Sequence, residues 1–371
     1  MEIIHIILGK ANPNRLNGVN KVVYQLATKQ AEFGLNVSVW GITKDITVNF
    51  EERNFNTVLF TKPSNPFEFS KQLQANIIEK KGKAVFHIHG GWIPAFFSIA
   101  KYLNEHHIDF VFTPHGAYNE VAMQRNSFIK RIYFKLFESK IISYATKIHC
   151  IGASEVLGLN AIYKTNKTVL LPYGFEFEDQ VISKPIDSAN ESIIFGYVGR
   201  LDIYTKGLDL LIKAFAQFNK KNQNSKLWII GDSSEKFKLK KMISEFDLNN
   251  SVILWGSKFG EEKNELVKQM DFFCHPSRNE GLPSAVLEAL NFGIPCIVSK
   301  ATNVANQIIS YNSGLVVEND NDVSLSESLF IANSLLTENK LNSLKANAQL
   351  MVRECFNWNI LLPKFNDIYS L

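Results

Sequence analysis

The stretch Asp271-Phe-Phe-Cys-His-Pro-Ser-Arg-Asn-Glu280-Gly-Leu-Pro-Ser-Ala-Val-Leu-Glu288-Ala-Leu-Asn-Phe-Gly293-Ile-Pro295 decides how the rest of the chain reads. Asp271 to His275 is short and apolar, as a buried strand requires, and Pro276 and Pro283 bracket a loop. A helix is expected from about Ser284, burying Val286, Leu287 and Leu290 and stopping before Gly293, which suits the position just past a helix end. Glu280 then sits on the loop and Glu288 one turn into the helix. Between the two carboxylates lie the free amides of a helix N-terminus, where a phosphate is favoured. Such a site suits a ligand with hydroxyls on both sides of a diphosphate, as a nucleotide-sugar has.

Working outward, the spacing Glu-x7-Glu, followed by Ala and a Gly-x-Pro lead into the next strand, resembles the donor-site signature of the retaining family-4 glycosyltransferases (glycosyl transferases group 1) of GT-B fold. The resemblance implies that Glu280 holds hydroxyls of the transferred sugar and Glu288 the ribose hydroxyls. It places the phosphates at the amides of Ser284 and Ala285, with Gly281 and Leu282 on the same donor-binding loop. An isolated pair of carboxylates would ordinarily be two solvated side chains; the complete constellation points to a site.

The first strand of the same half, Ile193 to Val198, runs into Gly199-Arg200-Leu201 and Lys206-Gly207-Leu208, ahead of an apolar-faced helix. An Arg and a Lys at the end of a strand can neutralise a diphosphate whose charge grows as it leaves. This resembles the family's Gly-Arg-Leu…Lys-Gly, which carries the phosphate role to Arg200 and Lys206. Leu227 to Gly231 and Val252 to Trp255 read as further strands. Asp320-Asn321-Asp322 spells a metal-type triplet but lies in a turn away from the phosphate residues, so it reads as a helix start. The closing segment from Phe356 to Tyr369 resembles the terminal helix that crosses back to the first domain in GT-B enzymes.

In the first half, Ile3 to Leu8 is an apolar run suited to a strand covered on both faces. A loop and a helix with Val19, Val22, Val23 and Leu26 on one face follow, making a βαβ unit with Val37 to Trp40. Asn17-Gly18-Val19 stands where similar enzymes carry Gly-Gly-Val, which implies a donor-side role for Gly18; a plain helix start is the other reading. Two strands end in His89-Gly-Gly91 and Thr113-Pro-His115-Gly116, and ligands bind at such C-terminal ends. The second resembles the family's Thr-x-His-Gly, so His115 is expected at the catalytic site with Glu280, as a positioning group. His87 and His89 share a strand face, without a carboxylate or cysteine at metal-ligand spacing, so no metal is expected.

Between Gln124 and His149 a long helical stretch mixes Lys130, Arg131, Lys135 and Lys140 with Phe128, Ile132, Phe134 and Leu136. It reads either as a core helix with a solvated basic face or as a peripheral contact with anionic lipid. Pro172-Tyr-Gly174 resembles the family's hinge, and a linker follows to about Glu191.

Bulk properties agree with two domains. The chain has 371 residues, 46% of them hydrophobic and 20% charged, and no evident repeat. A net charge of +4 is too small to argue for nucleic acid. The four cysteines have neither metal nor disulfide spacing, and the N-terminus lacks the basic region of a signal peptide, so a cytoplasmic protein, or one at the inner membrane face, is expected.

These readings predict an α/β chain of two doubly wound Rossmann-like domains facing a cleft. Residues 1–175 form the acceptor side, 176–355 the nucleotide-sugar side, and 356–371 the returning helix. The resemblance implies a retaining, metal-independent transferase. It would move a hexose-type sugar from a nucleotide diphosphate to a sugar or lipid-linked sugar acceptor in polysaccharide or lipopolysaccharide assembly, with no cofactor. A sugar-nucleotide epimerase of the same fold, or a non-catalytic donor-binding subunit, are the other readings; a dinucleotide oxidoreductase lacks its Gly-x-Gly-x-x-Gly. The base, sugar, acceptor and linkage stay open.

Overall fold

The computed structural model describes residues 1–12, 18–48, 50, 52–118, 123, 127–177, 192–338 and 340–370. Asn17, residues 124–126 and the linker segment 178–191 lie outside the described residues. The chain forms two compact units, residues 1–174 with 358–371, and residues 175–357.

Among the described residues the first unit holds seven strands: β1 (Glu2–Leu8), β2 (Val37–Thr43), β3 (Asn56–Thr61), β4 (Ala84–His89), β5 (Phe110–Thr113), β6 (Lys147–Cys150) and β7 (Thr168–Leu170). Every pairing is parallel, in the order β3-β2-β1-β4-β5-β6-β7. Helices cover the sheet, so its central strands are buried on both faces and rich in Ile, Val and Phe. Ile4, Ile6, Trp40, Phe86, Phe96 and Phe112 anchor its core. The run Ile3 to Leu8 is not purely apolar in effect: His5 stands in its middle, fully buried, and pairs in register with His87 of β4.

The second unit repeats the plan with β8 (Ile193–Val198), β9 (Ser225–Ile230), β10 (Val252–Gly256), β11 (Phe272–His275), β12 (Cys296–Ser299) and β13 (Gly314–Val317). Their order is β10-β9-β8-β11-β12-β13, again all parallel. Phe195, Phe215, Leu227 and Ile229 belong to one core cluster of this unit, and Phe273, Val286, Leu290 and Val298 to another. In both units the chain winds outward from a central strand, returns, and winds the other way. That creates a switch point between β1 and β4 in one and between β8 and β11 in the other, where strand C-termini leave a crevice.

The last helix, Trp358–Tyr369, belongs to the first unit and buries Leu361, Leu362, Phe365 and Ile368. Gly174 has to be a glycine here, because a Cβ would lie 2.3 Å from the Trp358 ring. Asn321 caps the helix Asp322–Thr337, accepting from the Ser324 amide at 2.9 Å. Cys150, Cys274 and Cys296 are buried free thiols, and Cys355 is partly buried.

The stretch expected as one long helix is broken. It runs as a helix over Ser127–Tyr133, a π turn over Phe134–Glu138 and a helix over Ser139–Tyr144, and gives way to β6 before His149. The π turn carries a buried carboxylate, Glu138, which accepts from the Trp92 amide at 3.1 Å and from the Tyr118 hydroxyl. A wide turn at a buried polar group is a recognised cause of such irregularity.

Candidate functional site

In the second unit, β8 and β11 pair through Phe272↔Phe195 and Phe273↔Gly196, so the segments leaving their C-terminal ends meet. The turn after β8 carries Lys206, the loop after β11 carries Glu280, and the two side chains form an ion pair. The turn is tight. Gly207 has φ +67°, and a Cβ there would stand 2.1 Å from the Pro276 carbonyl oxygen, so only glycine lets the two segments approach this closely. Glu280 also bonds His275 Nε2, at the end of β11, at 2.7 Å. Burial by itself would raise the Glu280 pKa, but His275 and Lys206 outweigh it and lower it to about 2, keeping the carboxylate ionised.

The loop is fixed from two further directions. Asn303 Nδ2 donates to the carbonyls of Glu280 at 2.8 Å and Gly281 at 2.9 Å. Arg278, nearly buried, grips Asp209 with two bonds of 2.7 and 2.8 Å, and donates to the Tyr204 carbonyl at 2.6 Å and to Asp320 at 2.7 Å. This fork ties the turn after β8 to the loop after β11 and to the turn after β13. Asp320-Asn321-Asp322, expected as a helix start, is one: Asn321 is the helix cap and Asp320 an arginine partner.

Leu282 packs against the apolar core, and the helix Ser284–Asn291 starts after Pro283. Its first intrahelical donors are the amides of Val286 and Leu287, which reach the Pro283 carbonyl at 3.1 and 3.2 Å. The amides of Ser284 and Ala285 therefore open the helix ahead of that bonding, where an anion is favoured. Glu288, one turn along, pairs with Lys263. Arg200 is exposed and turned toward Asp202 at 3.1 Å. So Lys206 and Glu280 touch, Ser284 and Ala285 follow Glu280 closely in sequence, and Glu288 and Arg200 each have another partner.

Gly18 and His115 belong to the first unit. Gly18 is the first residue of the helix Gly18–Glu32, and a Cβ there would meet nothing within 4 Å. His115 has φ +55°, an uncommon backbone for a non-glycine residue that functional sites tend to retain. Its turn is pinned by Glu155, a buried carboxylate that accepts from the amides of Gly116 and, at 3.0 Å, Ile151. The His115 ring stacks on Tyr173 at 5.8 Å.

Behind His115 lies a network that reading the sequence in strips does not find. His115 Nε2 meets His89 Nδ1 at 3.1 Å, His89 Nε2 meets His5 Nδ1 at 2.9 Å, and His5 Nε2 meets Gln30 Oε1 at 2.7 Å. Gln30 Nε2 reaches the Tyr369 hydroxyl at 3.2 Å, which lies 3.0 Å from His87 Nδ1. His87 Nε2 meets Thr113 Oγ1 at 2.6 Å, Thr113 Oγ1 meets His149 Nδ1 at 2.8 Å, and His149 Nε2 meets the Leu171 carbonyl at 2.7 Å. Burial lowers the pKa of all five histidines, to about 4 for His5 and His149 and about 3 for His115, so the rings are neutral near pH 7. Nitrogens of His5, His87 and His89 lie within 4.8 Å of one another, but each ring nitrogen already has a protein partner.

The chain matches two family models that lie end to end. Residues 16–175 match "Glycosyltransferase Family 4" and residues 178–351 match "Glycosyl transferases group 1". Among curated relatives, it is 32% identical over 153 residues to an uncharacterized glycosyltransferase of Methanocaldococcus jannaschii, covering 39% of this chain and 36% of that one. It is 23% identical over 258 residues to the capsular polysaccharide biosynthesis glycosyltransferase CapM of Staphylococcus aureus, covering 64% and 65%. The matched parts span 36% and 65% of the lengths of these two relatives. Among solved structures, sucrose-phosphate synthase from Thermosynechococcus elongatus superposes with a TM-score of 0.76 at 18% identity, over 99% of this chain and 98% of that one. Anabaena HepE in complex with UDP-glucose superposes at 0.73 and 17%, over 100% and 99%. Two parallel α/β units of this topology, matched almost throughout by these models, make the chain a member of the group 1, family-4 glycosyltransferases of GT-B fold.

Proposed function

We propose that the protein transfers a hexose-type sugar from a nucleoside diphosphate to a sugar acceptor in the assembly of a cell-surface polysaccharide. The observation that carries this reading is the Lys206–Glu280–His275 cluster after β8 and β11, on the loop that leads into the helix opening at Ser284. The diphosphate would lie on those amides and draw Lys206 and Arg200 onto its oxygens. Lys206 would leave Glu280 as it did so, freeing an ionised carboxylate for the sugar hydroxyls. Glu288, released by Lys263, would accept from the ribose hydroxyls. As the glycosidic bond breaks, negative charge collects on the leaving diphosphate, where the two cations, once drawn off Glu280 and Asp202, and the two amides would stabilise it. The acceptor attacks from the face the diphosphate leaves, which retains the anomeric configuration without a metal ion. The UDP-glucose held by HepE and the capsular role in CapM's name support the donor class and the pathway class.

A lipid-linked acceptor fits a second observation. Phe128, Ile129, Ile132 and Leu136 are exposed, 75% and 70% for the first two, beside exposed Arg131 and Lys135. Apolar side chains at the water boundary with cations between them suit an anionic bilayer surface. Among the described residues no helix is long and apolar enough to cross a membrane. Cosedimentation with vesicles containing anionic lipid is expected, and is lost in Phe128→Glu/Ile129→Glu; equal binding by the variant removes the membrane contact.

The donor reading is tested by thermal shift with UDP, GDP, ADP, CMP and NAD, repeated in Lys206→Ala. One nucleoside diphosphate should raise Tm in the parent and lose that effect in the variant. Incubation with the matching nucleotide-sugar and chelator, with and without acceptor saccharides, then separates transfer from epimerisation. Isomerised donor would favour an epimerase, no turnover a binding subunit, and a chelator-sensitive reaction would overturn metal independence.

A further inference from the structure

We propose that the hydrogen-bond chain from the Leu171 carbonyl to His115 fixes the His115 ring as its Nε2–H tautomer, making Nδ1 a permanent acceptor, with Tyr369, Gln30, His5, His87, His89 and His149 as positioning residues. The ligand hydroxyl that Nδ1 would receive rests on the transferase reading above. The tautomer itself does not.

The direction follows from one fixed end. A carbonyl can only accept, so His149 donates from Nε2 to Leu171, and its Nδ1, on a neutral ring, must accept. Thr113 therefore donates its proton to His149, and its oxygen accepts from His87 Nε2–H. The Nδ1 of His87 then accepts from the Tyr369 hydroxyl. The Tyr369 oxygen accepts from the Gln30 amide nitrogen, which leaves the Gln30 oxygen facing His5 Nε2–H. His5 Nδ1 accepts from His89 Nε2–H, and His89 Nδ1 accepts from His115 Nε2–H. All five rings carry the proton on the same nitrogen, and no contact along the chain sets two donors or two acceptors against each other. Reversing it would turn the Gln30 amide over and leave a bare His149 Nε2 lone pair against the Leu171 carbonyl, an unmade buried bond. Among the described residues His115 Nδ1 has no protein partner, and the ring is partly exposed, so the chain ends in an available lone pair.

Tyr369 is the coupling between the fixed end and the reporting end. With Tyr369→Phe, the Gln30 amide is free to turn, and His5, His89 and His115 can reverse together without disturbing His149. Two-bond 1H–15N correlation spectra of histidine-labelled protein at pH 7, without ligand, read the tautomers directly. The parent should show His115 only as Nε2–H. Tyr369→Phe should add an Nδ1–H signal at His115, while His149 keeps its proton on Nε2. If the two forms become equally populated, turnover falls about twofold, since only one form is competent. An Nδ1–H or doubly protonated His115 in the parent overturns the proposal, whether or not the variant folds. So does a folded Tyr369→Phe with an unmixed Nε2–H signal. Movement of the His5, His87 and His89 signals on adding one equivalent of zinc would replace the relay with a metal site. A fixed tautomer in a protein that turns over no nucleotide-sugar would sink the transferase reading and leave the relay standing.

Discussion

The two units share a fold plan and solve opposite electrostatic problems at the same topological place. At the switch point of the second unit, charges are kept and paired: Glu280 is ionised because His275 and Lys206 outweigh its burial. At that of the first, charge is excluded: four buried histidines and the partly exposed His115 are neutral and oriented by hydrogen bonds from one carbonyl. A charged cluster can exchange partners when an anion arrives, since each ion pair has a competing counter-ion. A neutral relay has no such freedom and preserves geometry instead. Parallel α/β topology supplies the crevice; the side chains decide whether it is adaptable or preset.

The largest expected effect tests the adaptable side. Glu280→Ala leaves Lys206 and His275 without their shared carboxylate, and turnover should fall about 100-fold, corresponding to about 3 kcal/mol. Steady-state kinetics with a saturating donor measure this; near-parental kcat would end the claim that Glu280 acts in the donor site. Next comes acid. A histidine whose folded pKa is lowered contributes stability that is complete above its unfolded value of 6.5 and is lost as pH falls through the folded value, near 4 for His5 and His149. Each such ring carries up to about 3 kcal/mol. Glu138 and Glu155, raised to about 7 by burial, act oppositely: their contribution is complete below 4.5 and lost as pH rises through 7. Five histidines outweigh two carboxylates, so the first unit should weaken between pH 6.5 and 4.5. The Glu280 contribution, complete above 4.5, survives until pH falls toward 2. Amide exchange resolved by unit should show protection lost first in residues 1–174; simultaneous loss would erase the contrast. The smallest effect belongs to Glu288→Ala, expected to weaken nucleotide binding about tenfold, or about 1.4 kcal/mol, with kcat little changed. Calorimetric titration with the nucleoside diphosphate separates it from Glu280.

Legibility followed the same divide. Lys206, Glu280, Ser284 and Glu288 could be placed from the sequence because each sits within a few residues of a strand end or helix start, and proline and glycine mark those boundaries. The strand Phe272–His275 and the helix Ser284–Asn291 fall where the apolar pattern predicts them. Arg278 lies inside the same stretch yet carried no assigned role, since its partners Asp209 and Asp320 are distant in sequence; His275 read only as the end of a buried strand, although its partner Glu280 is five residues away. The histidine relay was out of reach for a stronger reason. His5 meets His87 only through the β1–β4 register, and Tyr369 is 282 residues from His87. A lone histidine in a strand carries no sign of which strand will lie beside it. The exposed apolar face near Phe128 was ambiguous because periodicity marks a stripe without saying whether protein or lipid covers it.

The return of the helix Trp358–Tyr369 to the first unit has a consequence for biosynthesis. A ribosome extrudes residues 1–174 long before Tyr369 exists, so Gln30 and His87 emerge without the hydroxyl that joins them, and Gly174 without the indole it faces. Domains commonly fold in the order they are made. Here the earlier domain can collapse but cannot finish, and its polar interior must stay open or wetted while the later one is translated. The final turn of that helix then acts as a latch, closed only after the second unit has been made.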